Sequence, residues 1–252
     1  MHNIKILVNG AHGKMGSIAV KALSTQPNFT IVAQLGKQDN LEKQIIATNP
    51  DVILDLTTAD CVWQNCMIYS KNPARFVIGT SGLNANQIQE LQHQCQIKQQ
   101  GAVVVPNFSI GAVLTMQFAK MAAKWFDGVD IIEMHHHKKI DAPSGTALFT
   151  AQLINEQKDT WPEVNTNAQP GRETFIQQIP VHSVRMPGIL AKQDIMFGQL
   201  GETITLSHQT IDRQAYMPGL ILACSRVMEL NTMQIGLEHW LLEHSHAKNY
   251  TA

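Results

Sequence analysis

The feature that most constrains the fold is a glycine-spaced turn near the start, where a short apolar strand gives way to a helix. Residues 4–8 (IKILV) run straight into NGAHGKMG, which places Gly10, Gly13 and Gly16 between that strand and a helix expected over 14–24. The first glycine permits a tight turn. The second lets backbone approach a pyrophosphate, and the third lets helix and strand pack closely. The same spacing also suits an ordinary strand-to-helix turn, so the segments that follow have to support a nucleotide-binding reading.

They form an alternating series. Strands are expected at 29–35, 51–56, 76–78 and 102–105. Helices are expected at about 40–47, stopped by Asn49 and Pro50, from a cap at Asp60 to about 70, and over 84–99. Such alternation implies a parallel sheet covered on both faces. After Pro106 the rhythm changes. A long helix is expected over 110–126, a strand at 129–133, a helix at 143–157 and a polar loop at 158–170. Strand-like stretches at 180–185, 189–197 and 202–210 have no crossover helix between them, which favours mixed or antiparallel pairing. A helix over 220–230 and a tail with helical spacing at Leu237, Trp240 and Leu241 end the chain. The expected fold is α/β, a Rossmann-type dinucleotide-binding domain joined to an α+β domain with a mixed sheet.

In an open parallel sheet, ligands collect beyond the C-terminal strand ends. Those ends carry Thr57 and Thr58, Gly79-Thr80-Ser81-Gly82, and Val105-Pro106-Asn107-Phe108, small or polar turns that outline a cleft rim. The second strand ends in QLGKQDN, with no carboxylate before Asp39 to bond a ribose. Gly36 and Lys37 stand there instead. A cation without a competing carboxylate favours the extra phosphate of NADPH over NADH, or weak discrimination between the two, unless Lys37 is merely solvated.

Charged residues are 15% of the chain and the formal net charge is -1, a balance that offers nothing to a nucleic-acid backbone. No apolar run approaches the ~20 residues of a membrane span. The amino-terminal residues enter the first strand directly, leaving no room for a signal peptide. Cys61, Cys66, Cys95 and Cys224 match no zinc or redox spacing. A soluble cytoplasmic protein with free thiols is expected.

The most distinctive stretch runs from Glu133 to Ala147, EMHHHKKIDAPSGTA. Three readings compete for it. Metal ligation is disfavoured, because adjacent histidines on a strand point in alternate directions and Lys138 and Lys139 would repel a cation. A solvated polar turn is the plain alternative. The third is a site that binds an anion and donates a proton. Imidazole titrates near neutral pH, lysine supplies a fixed positive charge, and Asp141 can orient Lys139 or cap the next helix. Pro143 suits a first helical turn, and Ser144, Gly145 and Thr146 can present backbone N–H groups and a hydroxyl to a carboxylate.

Together, NGAHGKMG, GTSG, VPNFSIG, EMHHHKKIDAPSGTA and VHSVR resemble, in order, the 4-hydroxy-tetrahydrodipicolinate reductase (dihydrodipicolinate reductase) family of bacterial lysine and diaminopimelate synthesis. The resemblance implies reduction, by NADPH or NADH, of the dehydrated form of (2S,4S)-4-hydroxy-2,3,4,5-tetrahydrodipicolinate to (S)-2,3,4,5-tetrahydrodipicolinate. It implies a dinucleotide-binding domain at 1–106, completed by 219–252, and a substrate-binding and tetramerisation domain at 107–218. His135 would be the proton donor and Lys139 the second catalytic residue. His136, Gly145 and Thr146 would contact a small dicarboxylate. Gly10, Ala11, His12, Gly13, Lys14 and Met15 would line the cofactor, as would Gly79, Thr80, Ser81, Val105, Pro106, Asn107 and Phe108. No metal, membrane or nucleic acid is implied, and a homotetramer is. The chain departs from the family pattern at Gly36, at Met186-Pro187-Gly188 after Arg185, at LAKQ over 190–193, and at His137. Two other readings need different features. A nucleotide-binding regulator would bind cofactor without turnover, and a semialdehyde dehydrogenase would need a nucleophilic cysteine that none of the four sites provides.

Overall fold

The computed structural model describes residues 3–158, 160–161 and 174–243. Most of the expected 158–170 loop, and the part of the expected helical tail beyond residue 243, lie outside the described residues.

In chain order the first elements are β1 (Ile4–Asn9), α1 (Lys14–Ser24), β2 (Phe29–Leu35), α2 (Leu41–Thr48), β3 (Val52–Asp55) and α3 (Val62–Tyr69). There follow β4 (Arg75–Ile78), α4 (Ala85–Lys98), β5 (Ala102–Val104), α5 (Ile110–Ala122), β6 (Gly128–His135) and α6 (Gly145–Asn155). The last are β7 (Thr174–Ile176), β8 (Ile179–Arg185), β9 (Ala191–Gln199), β10 (Glu202–Thr210), α7 (Met217–Arg226), β11 (Met233–Ile235) and α8 (Glu238–Glu243). They divide into two compact units, one comprising Met1–Phe108 with Tyr216–Ala252, the other Ser109–Ala215.

The first unit is built on a sheet ordered β11-β5-β4-β3-β1-β2, with every neighbouring pair parallel. Leu7, Ile53, Phe76 and Ile78 are fully buried in its core. A side chain of that size contributes about 1.5–3 kcal/mol when withdrawn from water. The chain leaves β1 toward β2 on one side and reaches β3 on the other, so the strand order reverses between β1 and β3. Ligands gather at such a switch point, and Gly10 stands there. Its φ is +86°, and a Cβ on it would lie 2.4 Å from the Leu56 carbonyl oxygen. Gly16 seats α1 on the same turn, since a Cβ there would come within 2.0 Å of the Gly10 carbonyl oxygen.

Two details differ from expectation. Asp60 does not cap α3. The amides of Cys61 and Val62 both donate to the Thr58 carbonyl, at 3.2 and 3.1 Å, which moves the helix start past Asp60 and leaves Cys61 at the cap with no side-chain capping bond to the helix. The strand β11 was not expected at all. Three residues carry too little pattern to register, and the strand exists by pairing with β5, with Met233 opposite Ala102.

The second unit carries a mixed sheet ordered β10-β9-β6-β8-β7. Within it β6 and β8 are parallel, and the other pairs are antiparallel. Helices α5 and α6 cover one face, where Ala119, Ala147, Ala151 and Ile154 pack on Ile131, Val181, Ile195 and Phe197. Helix α5 ends at Ala122, short of the expected 126. The apolar run continues, but Phe126 turns back to pack against Phe197, ring centroids 5.9 Å apart, and the chain enters β6 at Gly128.

The contact at Gly16 is backbone against backbone and has no side chain that can yield. Substituting Gly16→Ala is expected to destabilise the protein by about 1–3 kcal/mol, the usual cost of overpacking. Thermal unfolding checks this, and an unchanged midpoint would show that α1 can lift off the turn without penalty.

Candidate active site

In the first unit, the turn after β1 is prepared for an anion. The amides of Gly10 and Ala11 both donate to the Leu35 carbonyl at 2.9 Å, and that of Gly13 donates to the Gly10 carbonyl at 3.1 Å. Gly13 is the N-cap of α1 and offers no side-chain cap. Asn40, Asn84, Ser109 and Ser144, by contrast, each cap their helices with a side-chain oxygen. The first-turn amides of α1, together with the positive end of the helix dipole, therefore suit a phosphate. A cradle in which any Cβ on Gly10 would collide with backbone, opening onto an uncapped helix, fits a dinucleotide pyrophosphate.

Beside it, a Cβ on Gly36 would lie 2.9 Å from Cδ2 of His12, so that ring packs over Gly36. The Asp39 carboxylate accepts the Gly36 amide at 2.7 Å and is committed to its own loop. Lys37 lies between them in sequence, close enough to Asp60 to help hold that carboxyl low after the larger effect of the Thr58 hydroxyl.

The strand ends of this unit share a buried carboxylate that sequence reasoning missed. Asp55 is fully buried at the end of β3. Its Oδ1 accepts the Thr57 amide at 3.0 Å, the Thr57 hydroxyl at 2.6 Å and the Thr80 hydroxyl at 2.5 Å. Its Oδ2 accepts the Tyr69 hydroxyl at 2.6 Å and Asn65 Nδ2 at 3.1 Å. The turns after β3 and β4, including Thr80 among the expected rim residues, are thus tied to one group. Phe108 closes the same rim from within the unit. A Cβ on Gly79 would lie 2.4 Å from its ring, and one on Gly219 would lie 2.0 Å from its carbonyl oxygen.

In the second unit the site grows from β6. Side chains two apart on a strand share a face, so Glu133 and His135 both point toward the helices. Glu133 is fully buried. Its Oε2 accepts Nδ1 of His135 at 2.6 Å and Nη1 of Arg185 at 3.0 Å, and its Oε1 accepts Nη2 of Arg185 at 2.6 Å and the Ser144 amide at 3.2 Å. Burial alone would raise this carboxyl. The bonds from His135, Arg185 and Ser183, with the charge of Arg185, outweigh burial and hold it at about 2.

Arg185 also donates from Nη2 to the Asp141 carbonyl at 2.7 Å. The Asp141 side chain in turn binds Lys139 Nζ at 2.7 Å. Burial opposes ionisation of Asp141, but the bond and charge of Lys139 overcome it and leave its carboxyl below the ordinary range. The helix α6 begins one turn on. Ser144, not Asp141, is its cap, with the Ser144 oxygen accepting the Ala147 amide at 3.2 Å. Pro143 therefore precedes the cap rather than occupying the first turn. Nothing lies within 4 Å of where a Cβ on Gly145 would sit, so the helix start is open on that side.

The expected residues His135, Lys139, Gly145 and Thr146 thus lie on one continuous framework held by Glu133 and Arg185. His136 sits beside it in a positive field. Desolvation, then the charges of His135, Arg213, Lys139 and His137, hold its imidazole below the ordinary value. Arg213 was not singled out from sequence. It lies far along the chain from the histidines and follows no motif that marks it. Glu133 and Arg185 were visible only as letters within EMHHH and VHSVR. His137 and Lys138 are exposed. Among the described residues, no group of three or more His, Cys, Asp or Glu is arranged to hold a metal ion.

Comparison with known proteins places this geometry. Residues 4–108 match the family model described as dihydrodipicolinate reductase, N-terminus, and residues 111–241 match dihydrodipicolinate reductase, C-terminus. A 4-hydroxy-tetrahydrodipicolinate reductase of Legionella pneumophila (strain Philadelphia 1) is 47% identical over 243 residues, covering 94% of this chain and 99% of the relative. One of Coxiella burnetii (strain Dugway 5J108-111) is 45% identical over 238 residues, with the same coverage. Among solved structures, the dipicolinate-bound dihydrodipicolinate reductase from Paenisporosarcina sp. TG-14 superposes with a TM-score of 0.82 at 39% identity, covering 95% of this chain and 99% of that one.

The low-lying Glu133 carboxyl has a consequence for stability. Its folded value, about 2, is below the 4.5 of the unperturbed group. The stabilisation is therefore complete above pH 4.5 and is lost as pH falls toward 2. It amounts to something on the order of 3 kcal/mol. The gap in unfolding free energy between wild type and Glu133→Gln is expected to be fully developed above about pH 4.5 and to narrow as pH falls below it. Urea titrations at several pH values measure it, and a gap independent of pH would contradict the assignment.

Proposed function

The chain belongs to the dihydrodipicolinate reductase family, and on that footing we propose how its own residues divide the family's reaction. The protein catalyses reduction of the dehydrated form of 4-hydroxy-tetrahydrodipicolinate to tetrahydrodipicolinate in lysine and diaminopimelate biosynthesis, using a nicotinamide dinucleotide. The bound dinucleotide supplies the hydride. The turn from Gly10 to Met15 lines the cofactor and brings its pyrophosphate to the first-turn amides of α1, a role supported by the uncapped start of that helix at the switch point. Gly79, Thr80, Ser81 and the turn from Val105 to Phe108 border the nicotinamide end. Lys37 favours the 2'-phosphate of NADPH, since Asp39 is engaged by the Gly36 amide and no other carboxylate ends β2.

The second unit binds the substrate and protonates it. His135 donates the proton, and Lys139 places its charge beside a substrate carboxylate. His136, Gly145 and Thr146 contact the substrate, with the start of α6 receiving a carboxylate. The observation that carries this reading is that Glu133 and Arg185 tie His135 and the Lys139–Asp141 loop to a helix start with open space at Gly145. A small dicarboxylate meets both features, and the similar Paenisporosarcina enzyme was solved with dipicolinate.

We further place the protein in the cytoplasm as a homotetramer. Cys61, Cys66, Cys95 and Cys224 are all free thiols, which suits a reducing compartment. In the second unit, the sheet face away from α5 and α6 presents Asp130, Ile132, Met134 and Met196 only half-buried, a surface that a second copy can cover.

Steady-state assays with freshly generated substrate test these assignments. His135→Gln is expected to lower kcat by roughly 10²–10⁴-fold, the range for a lost general acid, and Lys139→Ala to lower turnover strongly, both with the fold retained by circular dichroism. Unchanged turnover in both variants would remove the assigned roles. NADPH is expected to serve at least as well as NADH, and Lys37→Ala to weaken NADPH more than NADH. A large NADH preference in the wild type would contradict the role of Lys37.

A further inference from the structure

We propose that Glu133 is a positioning residue for His135: its carboxylate, neutralised by Arg185, holds the imidazole through Nδ1 and makes Nε2 the atom that delivers the proton. The inference rests on the reading of His135 as proton donor.

The geometry leaves little choice about the ring. An ionised carboxylate only accepts hydrogen bonds, so Nδ1, 2.6 Å from Glu133 Oε2, carries a hydrogen whether the ring is charged or neutral. The exchangeable proton is then the one on Nε2. In the transfer, the Nε2–H bond breaks and its electron pair stays on nitrogen. The substrate carbon next to the one that accepts hydride supplies the pair for the new C–H bond. The ring is left as the neutral Nδ1–H tautomer, still bonded to Glu133, and Nε2 regains a proton from solvent. No rotation or tautomer exchange intervenes.

Arg185 decides what kind of carboxylate Glu133 is. Both of its terminal nitrogens lie on the two carboxylate oxygens, at 3.0 and 2.6 Å. That pairing keeps the group ionised, so it cannot take the proton from Nδ1 itself. It also offsets the negative charge that a lone carboxylate would place against the ring, and an imidazolium bound to a lone carboxylate is a reluctant acid. The same two residues set where the ring stands relative to the anion-binding parts. Arg185 holds the Asp141 carbonyl and Glu133 holds the Ser144 amide, so the loop bearing Lys139 and the start of α6 are indexed to the proton donor.

The charged groups around His135, its neighbour His136 and the Asp141 loop come from several elements. Glu133 and His136 belong to the strand of His135 or adjoin it. Arg185 comes from β8, Lys139, Asp141 and His137 from the following loop, and Arg213 from the 3-10 turn Arg213–Tyr216. Gln193 of β9 and Ser144 at the head of α6 are uncharged. Among these, Glu133 is the carboxylate in contact with the ring, and Arg185 is the cation in contact with Glu133. Changing them must therefore move the ring in opposite directions. In Glu133→Gln the imidazolium loses its carboxylate. In Arg185→Gln the carboxylate loses its counter-charge and holds the imidazolium more firmly.

The test is the pH profile of kcat/KM for wild type, Glu133→Gln, Arg185→Gln and His135→Gln, with thermal unfolding of each. Activity that needs imidazolium falls on the alkaline side. That limb is expected to move down by about one pH unit in Glu133→Gln and up by a similar amount in Arg185→Gln, as for a charge gained or lost within a few ångströms. A general loss of structural integrity would lower rates without moving the limbs apart. Nitrogen NMR of ¹⁵N-histidine-labelled wild-type enzyme, with the His135 signal assigned from His135→Gln, should show the Nδ1–H tautomer when the ring is neutral. This second readout needs neither variant of the pair to fold. Unmoved limbs in folded variants, or an Nε2–H tautomer, would overturn the positioning role while a collapsed rate in His135→Gln left the donor assignment standing. A His135→Gln enzyme that retained both rate and limb would instead overturn the donor assignment, and the inference with it.

Discussion

A carboxylate sealed from water in the middle of a mixed sheet is the constraint on which the second unit's site depends. Glu133 has no exposed surface, and an ionised group so placed costs several kcal/mol unless charge and hydrogen bonds compensate. Compensation here recruits donors from separate parts of the chain. His135 comes from the same strand, Arg185 from the parallel neighbour β8, and the Ser144 amide from the head of α6. The β6–β8 register sets His135 opposite Arg185 and Glu133 opposite Ser183, so strand pairing alone brings three of the participants into reach. The electrostatic demand of one side chain then orders the loop and helix start that the pairing does not reach.

The first unit uses a buried carboxylate to a different end. The partners of Asp55 are two hydroxyls, a backbone and a side-chain amide, and a phenol, with no cation among those that bond it. Burial, followed by the charge of Asp55, pushes the Tyr69 phenol far above its ordinary range, so Tyr69 remains a proton-bearing donor that also accepts Asn9 Nδ2 at 2.8 Å. This network joins the ends of β1, β3 and β4 through direct side-chain hydrogen bonds. It stiffens a rim. The Glu133 network, in contrast, includes a permanent cation, Arg185, whose bonds and charge help keep the carboxylate ionised.

What was legible in the sequence follows from which forces are local. Strands β1 and β2, and the helix between them, are continuous patterns bounded by glycine or turn residues, and they appear where the spacing places them. The mixed character of the second sheet was legible from the missing crossover helices. Elements that depend on a distant partner were not. Strand β11 is three residues long and is stabilised by β5 from the other end of the chain, where Gly101 allows close approach: a Cβ on it would lie 2.4 Å from the Leu230 carbonyl oxygen. The cap of α3 went to Cys61 because a backbone turn at Thr58 competed with the Asp60 side chain. The site divides along the same line. The histidines, lysine and SGT turn stand together in one segment. Glu133 looked like part of a strand, Arg185 belonged to a separate motif, and Arg213 had no motif, because their significance is a matter of charge in three dimensions. A lone acid within an apolar strand, as in DVILDL or IIEMH, was the signal available for both buried carboxylates.

The run of five basic residues is better understood as a division of charge than as a concentration of it. His135 is matched by Glu133, and Lys139 by Asp141 at 2.7 Å. His137 and Lys138 face solvent, where water and salt screen them. His136 is the member that feels the surplus, and its imidazole is held low by desolvation and by the cations around it. On the proposed reading, an arriving carboxylate would reverse that balance, stabilising positive charge on His136 and competing with Asp141 for Lys139. Binding a dicarboxylate would then draw a proton toward the site in the same event that engages the lysine. Because Glu133 is already saturated by Arg185, His135 and Ser144, the incoming negative charge would, on the same reading, act on the outer cations and leave the orientation of His135 untouched.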